Sequence, residues 1–332
     1  MSRAETEADT EGTAGSAGTA APEAAPGGPA PAGGPGAGAV ADVGGAPAAS
    51  ALRRRLWTLG LLGSELGVTF RRWRTLALLG VLAVVPVLVG VAVKVETGDG
   101  GSFGGPEGAG PPFISQVTNN GLFLVFTALA ATLPFFLPMA VSVVAGDSVA
   151  GESSGGTLRY LLVAPAGRTR LLAVKFVTAV VFCLVATLVV AVFALAAGAL
   201  LFPVGDVVTI SGTRLGFGSG LLRALLIALL VAASLLGVCA LGLFVSTLTS
   251  SGIAAMATTV GLVLTVQILD GIPQLHAIQP YVFSHYWMSF SDAMRDPVYW
   301  DQILKNLGLQ ALYTAVFGAA AWARFTSKDI TT

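Results

Sequence analysis

Residues 75–95 read TLALLGVLAVVPVLVGVAVKV, with Lys94 as their one charged residue. A run of about 20 apolar residues is what about 30 Å of hydrocarbon demands of a helix. The apolar residues are continuous rather than alternating, which excludes a lipid-facing barrel strand. A lone strand could not pair its backbone in lipid, so the run is read as a spanning helix. Five similar runs follow, at about 121–145 (holding Pro134 and Pro138), 171–201, 220–247, 252–272 and 303–323. The fold class this predicts is an all-α polytopic membrane protein with six transmembrane helices, filling a domain over 75–325.

Composition agrees. Of 332 residues, 54% are hydrophobic and 11% charged, with a mean hydropathy of +0.79. Soluble domains carry about 25% charge, so a water-soluble enzyme is excluded. Eighteen basic residues balance eighteen acidic ones, which leaves no bulk field for nucleic acid. Cys183 and Cys239 lie inside apolar runs and read as buried small hydrophobes.

Lys and Arg in the connections set the orientation. Twelve lie in 51–74, after the second run and after the sixth; five lie on the opposite side. The richer side is cytoplasmic by the positive-inside rule. Both termini are then inside the cytoplasmic membrane, and the outer loops are about 96–120, 202–219 and 273–302. A short cytoplasmic tail, 326–332, ends the chain.

Residues 1–49 are Ala-, Gly- and Pro-rich, with Glu5, Glu7, Asp9 and Glu11 where a signal peptide needs positive charge. They are expected to form a disordered tail. Residues 50–74 hold too many arginines to span. Leu52, Leu56, Leu59, Leu66, Phe70 and Trp73 recur at steps of three or four, with Gly63 filling the gap. Ser50 is placed to cap such a helix. The reading is an amphipathic helix lying on the membrane, with Arg71, Arg72 and Arg74 among the arginines that meet anionic headgroups.

The loop 146–171 carries the functional signal. It runs GDSVAGESSGGTLRYLLVAPAGRTRL, with Lys175 just beyond. Gly155 and Gly156 favour a helix break. Thr157 is placed to cap a short helix over Leu158–Val163, and Pro165 to end it. Leu158, Leu161 and Leu162 form an apolar stripe, with Arg159 elsewhere on the surface. Exposed leucines of this kind need either a partner or the chain's own span ends.

This loop resembles the first cytoplasmic loop of ABC-2 type transport permeases. Glu152, Gly156, Thr157, Leu158, Leu161, Leu162, Pro165, Arg168 and Lys175 occupy that family's pattern. The match departs at Ala166–Gly167 and at Val174. The tight turn LFVSTLTSS, 243–251, and the ending RFTSKDI, 324–330, are similar to the family as well. The resemblance covers about 51–330. It implies a permease subunit, an exporter, driven by a separate cytoplasmic ATP-binding-cassette subunit that binds ATP and Mg. It implies coupling to that subunit through Glu152, Gly156, Thr157, Leu158, Arg159, Leu161, Leu162, Pro165, Arg168 and Lys175. It also implies pairing with a second copy or a related permease. A non-transporting membrane anchor or regulator, binding a cytoplasmic partner through the same loop, is the other reading.

Nothing in the chain suggests its own catalysis. No Gly-x-x-x-x-Gly-Lys-Ser/Thr, His-Glu-x-x-His or Gly-x-Ser-x-Gly occurs. His276 and His285 are nine residues apart in the third outer loop and read as surface residues rather than a metal pair. Asp206, Asp270, Asp292, Asp296 and Asp301 read as solvated. The loop's aromatics, Tyr281 to Trp300, suit an outer headgroup belt, with a substrate gate as the sharper alternative. Gln267 and Gln310, inside spans, read as helix–helix hydrogen-bonding groups.

Overall fold

The computed structural model describes residues 46–98, 117–155, 167–209 and 211–327. Residues from Ala48 onward form one compact unit. Of the expected tail over 1–49, residues 46–49 are helical instead, and 1–45 lie outside the described residues, as do Gly156, Thr157, Leu158, Arg159, Leu161, Leu162 and Pro165. The side chains of Leu52 and Leu56 do so too.

Helix α1, Ala46–Arg71, leads through a break at Arg72 into α2, Trp73–Gly98. The start at Ala46 corrects the expected cap at Ser50, which lies inside the helix. α3, Phe123–Thr132, and α4, Phe136–Ser154, are bent by 56°. The cause is Pro134, which has no N–H for the carbonyl four residues back. Pro138 falls in the first turn of α4, where that N–H is not needed. α5, Arg168–Leu201, is the longest helix described. α6, Phe217–Ser234, and α7, Leu236–Leu248, form one stretch interrupted at Leu235. α8 is Gly252–Asp270 and α9 is Trp300–Ser327.

Among the described residues four stretches are long and apolar enough to cross a membrane: α2, α5, α6–α7 and α8. The bent α3–α4 pair makes a fifth if it is one span. α9 has 28 residues but is too polar to join them.

The α6–α7 stretch is the centre, with 72% of its most apolar window buried, against 22% for α2 and for α8. α2 accordingly exposes Leu76, Val84, Leu88 and Val95. Small residues allow close helix approach, as membrane interfaces require. A Cβ on Gly121 or Gly198 would overlap the other glycine's carbonyl oxygen. A Cβ on Gly242 of α7 would lie 2.6 Å from the Ala145 Cβ of α4.

The connection 202–216 contains a two-residue antiparallel pair, Val207–Val208 with Arg214–Leu215. The connection after α8 forms three short 3-10 turns, at 273–275, 279–281 and 287–294. Here the aromatic reading is corrected in part. Phe283, Trp287 and Phe290 belong to the buried core, while Tyr281, Tyr299 and Trp300 are exposed. Arg223 of α6 holds this connection, donating to the Ala293 and Arg295 carbonyls at 2.6 and 2.9 Å.

Candidate functional site: the charged end of the helix bundle

Lys175 is the only charged residue in the run 171–201, and α5 carries it into the protein, leaving it 2% exposed. A buried ammonium persists only when paired. Its Nζ donates to Glu152 Oε1 of α4 at 2.5 Å and to the Glu65 carboxylate of α1 at 3.3–3.4 Å. Both carboxylates are 12% exposed. Three helices that share no local sequence are thereby tied at one point. Beside it, Arg72 at the α1–α2 break donates to Asp147 of α4 at 2.6 Å. These groups line a small hollow of about 40 Å³, room for a few waters. Thr178 adds a buried hydroxyl without a partner to its wall.

The surrounding packing makes this end stiff. Ser246 of α7 inserts its Oγ into α4, accepting from the Val149 and Ala150 N–H groups at 3.0 and 2.9 Å. Arg168, at the start of α5, donates to the Thr326 carbonyl at the end of α9, at 3.0 Å. Trp322 Nε1 donates to Thr169 Oγ1 at 3.0 Å. Val149, Leu171, Leu172, Leu243, Ala321 and Phe325 form a separate apolar cluster among the same helix ends.

Of the residues implied for coupling, Glu152, Arg168 and Lys175 are described, and all three bond at this end. Glu152 and Lys175 pair directly. Arg168 turns instead to the C-terminal helix. Arg71 at the end of α1, Arg72 at the break, and Trp73 and Arg74 at the start of α2 are exposed, and Leu59 of α1 is 64% exposed. Leu66 and Phe70 are half-buried, Phe70 packing on Phe182 with ring centroids 6.2 Å apart. The packed side of α1 therefore includes Glu65. Arg72, read as a headgroup contact, pairs with Asp147.

Sequence reasoning missed Glu65, Asp147 and Ser246. Glu65 did carry a signal: it is the only acidic residue in 51–74, as Lys175 is the only charge in its run. Two isolated charges of opposite sign in apolar surroundings are natural partners. Ser246 had no such signal.

The remaining polar groups have structural roles. Gln310 Oε1 accepts from the Gly237 N–H at 3.2 Å, just past the interruption at Leu235, and its Nε2 donates to the Phe283 carbonyl at 2.7 Å. Asn306 donates to Ser234 Oγ at 2.6 Å. The helix–helix reading of Gln310 therefore agrees with its bonds. Three of the acids read as solvated, Asp270, Asp292 and Asp301, have partners. His285 Nδ1 lies 2.8 Å from Asp270 Oδ1, and Asp292 and Asp301 pair with Arg295 and Lys305 at 3.1 and 2.7 Å. Cys183 and Cys239 are free and buried. Among the described residues no group of three or more His, Cys, Asp or Glu could hold a metal ion.

A comparison with curated proteins gives no match. A family model described as a protein of unknown function, DUF2705, matches residues 109–331, from before α3 to beyond the end of α9. That span is well over half of the 332 residues, and the chain belongs to the DUF2705 family.

Proposed function

We propose that this chain is the membrane-spanning permease subunit of an ABC transporter of the ABC-2 type, an exporter in the cytoplasmic membrane. A separate cytoplasmic subunit binds ATP and Mg and supplies the energy. The observation that carries this reading is the Glu152–Lys175 pair. It closes the loop that resembles the family's coupling segment at its base, and Glu65 joins that base to α1. A push on the loop 156–166 would thus reach α4, α5 and α1 together, which transport driven from outside the membrane requires.

In this reading both termini are cytoplasmic and α1 lies on the inner membrane surface. α9 is the sixth span. Its 28 residues extend about 42 Å, and its polar residues Asn306 and Gln310 are buried and hydrogen-bonded rather than facing lipid. Six spans make half of a transport path, so the working unit pairs this chain with a second copy or a related permease.

The test is co-purification with the ATP-binding subunit together with ATP-driven flux in vesicles. Leu161→Asp and Glu152→Ala are expected to lower both while leaving membrane insertion intact. Asp206→Ala, on the opposite side, is expected to change neither. Wild-type co-purification and flux in Leu161→Asp would sink the reading.

A further inference from the structure

Between α7, α8 and α9 lies an apolar groove of about 590 Å³. Its floor is Leu241 and Val245 of α7, both buried. Thr258, Leu262 and Val266 of α8 form one wall, and Leu262 is 41% exposed at the rim. The other wall is aromatic. Phe244 stacks on Phe317, and Phe317 on Tyr313, with centroids 5.9 and 5.8 Å apart. No charged residue lines the groove.

The groove is closed at its outer end. The segment 279–285 bridges the tops of both walls. Gln279 Nε2 donates to the Asp270 carbonyl of α8 at 2.8 Å. Tyr313 of α9 donates its hydroxyl to the Tyr281 carbonyl at 2.8 Å. The inner end, at Leu248 and Thr249, is not covered: Leu248 is 49% exposed. The α9 face that carries Tyr313 and Phe317 continues by helical steps of three and four through Ala320 to Arg324. Arg324 is exposed in the last turn of α9.

We propose that this groove holds one acyl chain of a membrane phospholipid, entering from the inner leaflet with its phosphate toward Arg324. Lining and charge select this occupant. From Ala254 to Val266 the α8 wall runs about 18 Å, an apolar track along which an acyl chain can lie. An uncharged groove, with an exposed cation on the α9 face that continues past its open end, matches an amphiphile with one anionic head. The proposal rests on the orientation given above and not on transport.

The test uses the full chain in nanodiscs containing phosphatidylglycerol with a diazirine on its acyl chain. Photolabelling is expected to concentrate on peptides holding 241–248, 258–266 and 313–317, above the level on the exposed face of α2. Thr258→Trp and, separately, Leu262→Phe fill the groove and are expected to cut groove labelling at least fivefold, with α2 labelling unchanged as the internal control. Arg324→Gln is expected to lower labelling by phosphatidylglycerol about fivefold, the effect of about 1 kcal/mol for one arginine at an anionic surface. Labelling equal to that of α2, or indifferent to both filling variants, would mean ordinary boundary lipid and overturn the proposal. Cross-links from the groove to a second copy would also overturn it.

Discussion

Lys175 and Glu152 meet at 2.5 Å across a loop whose two ends they hold, and both are almost wholly withdrawn from solvent. Glu65 completes the contact from α1. Two carboxylates on one buried ammonium make Lys175 the group whose loss is least tolerable. Lys175→Met leaves two facing carboxylates in a poorly solvated place. Removing one partner of a buried pair costs about 3–5 kcal/mol, and thermal unfolding of the purified protein is expected to register a loss of that order. Glu65→Gln is expected to cost less, since Glu152 still holds the lysine. Combining Lys175→Met with Glu65→Gln and Glu152→Gln is expected to recover much of the loss. A Lys175→Met protein as stable as wild type would show that the cluster does not hold the helices.

The backbone crossing of Gly121 and Gly198 leaves no room for a methyl group on either side. Both obstructing atoms are backbone, which cannot rotate away. Gly198→Ala is expected to force the helices apart and destabilise by at least about 1–3 kcal/mol. Gly60 on α1 is the contrast, with nothing near its missing Cβ. Gly60→Ala is expected to be neutral or to stabilise by up to about 1 kcal/mol through helix propensity. Unfolding curves of the two variants that move in the same direction would contradict this account.

Two helix glutamines are expected to behave oppositely. Gln310→Leu strands the Gly237 N–H and the Phe283 carbonyl, at about 1–3 kcal/mol for each unpaired buried group. The buried Nε2 of Gln267 has no hydrogen-bond partner. Gln267→Leu is therefore expected to leave stability unchanged or raise it. Equal losses in both variants would mean that Gln267 is satisfied by a group that the contacts above do not include.

The orientation is open to labelling, because both native cysteines are buried. A membrane-impermeant maleimide is expected to modify Ser219→Cys in intact cells, and Ser154→Cys only after permeabilisation. Both serines are exposed on the protein surface. Labelling of Ser154→Cys from outside would invert the topology.

Most of the helix layout was legible because the apolar runs are continuous and their connections are not. The charge bias gave an orientation for the same reason. The α3–α4 bend was foreshadowed by Pro134, whose ring forbids an ordinary helix. The site was legible only in part. The resemblance carried by the loop 146–171, with Lys175 just beyond it, pointed to Glu152, Arg168 and Lys175, but their partners are chosen across 23 to 158 residues of sequence. Local pattern holds no information at that range. The aromatics of 281–300 misled because burial and headgroup anchoring call for the same side chains, and only packing separates Phe283 from Tyr299.

From Leu230 to Thr247 the α6–α7 stretch differs from its neighbours in having almost no outside. On α2 or α8, a substitution meets lipid on one side and protein on the other, so tolerance to mutation would rise and fall with each helical turn. Along 230–247 that rhythm would fade into a nearly uniform intolerance. Drift in a lineage of such proteins would then collect on the peripheral helices, and the middle helix would keep the record of their common ancestry longest.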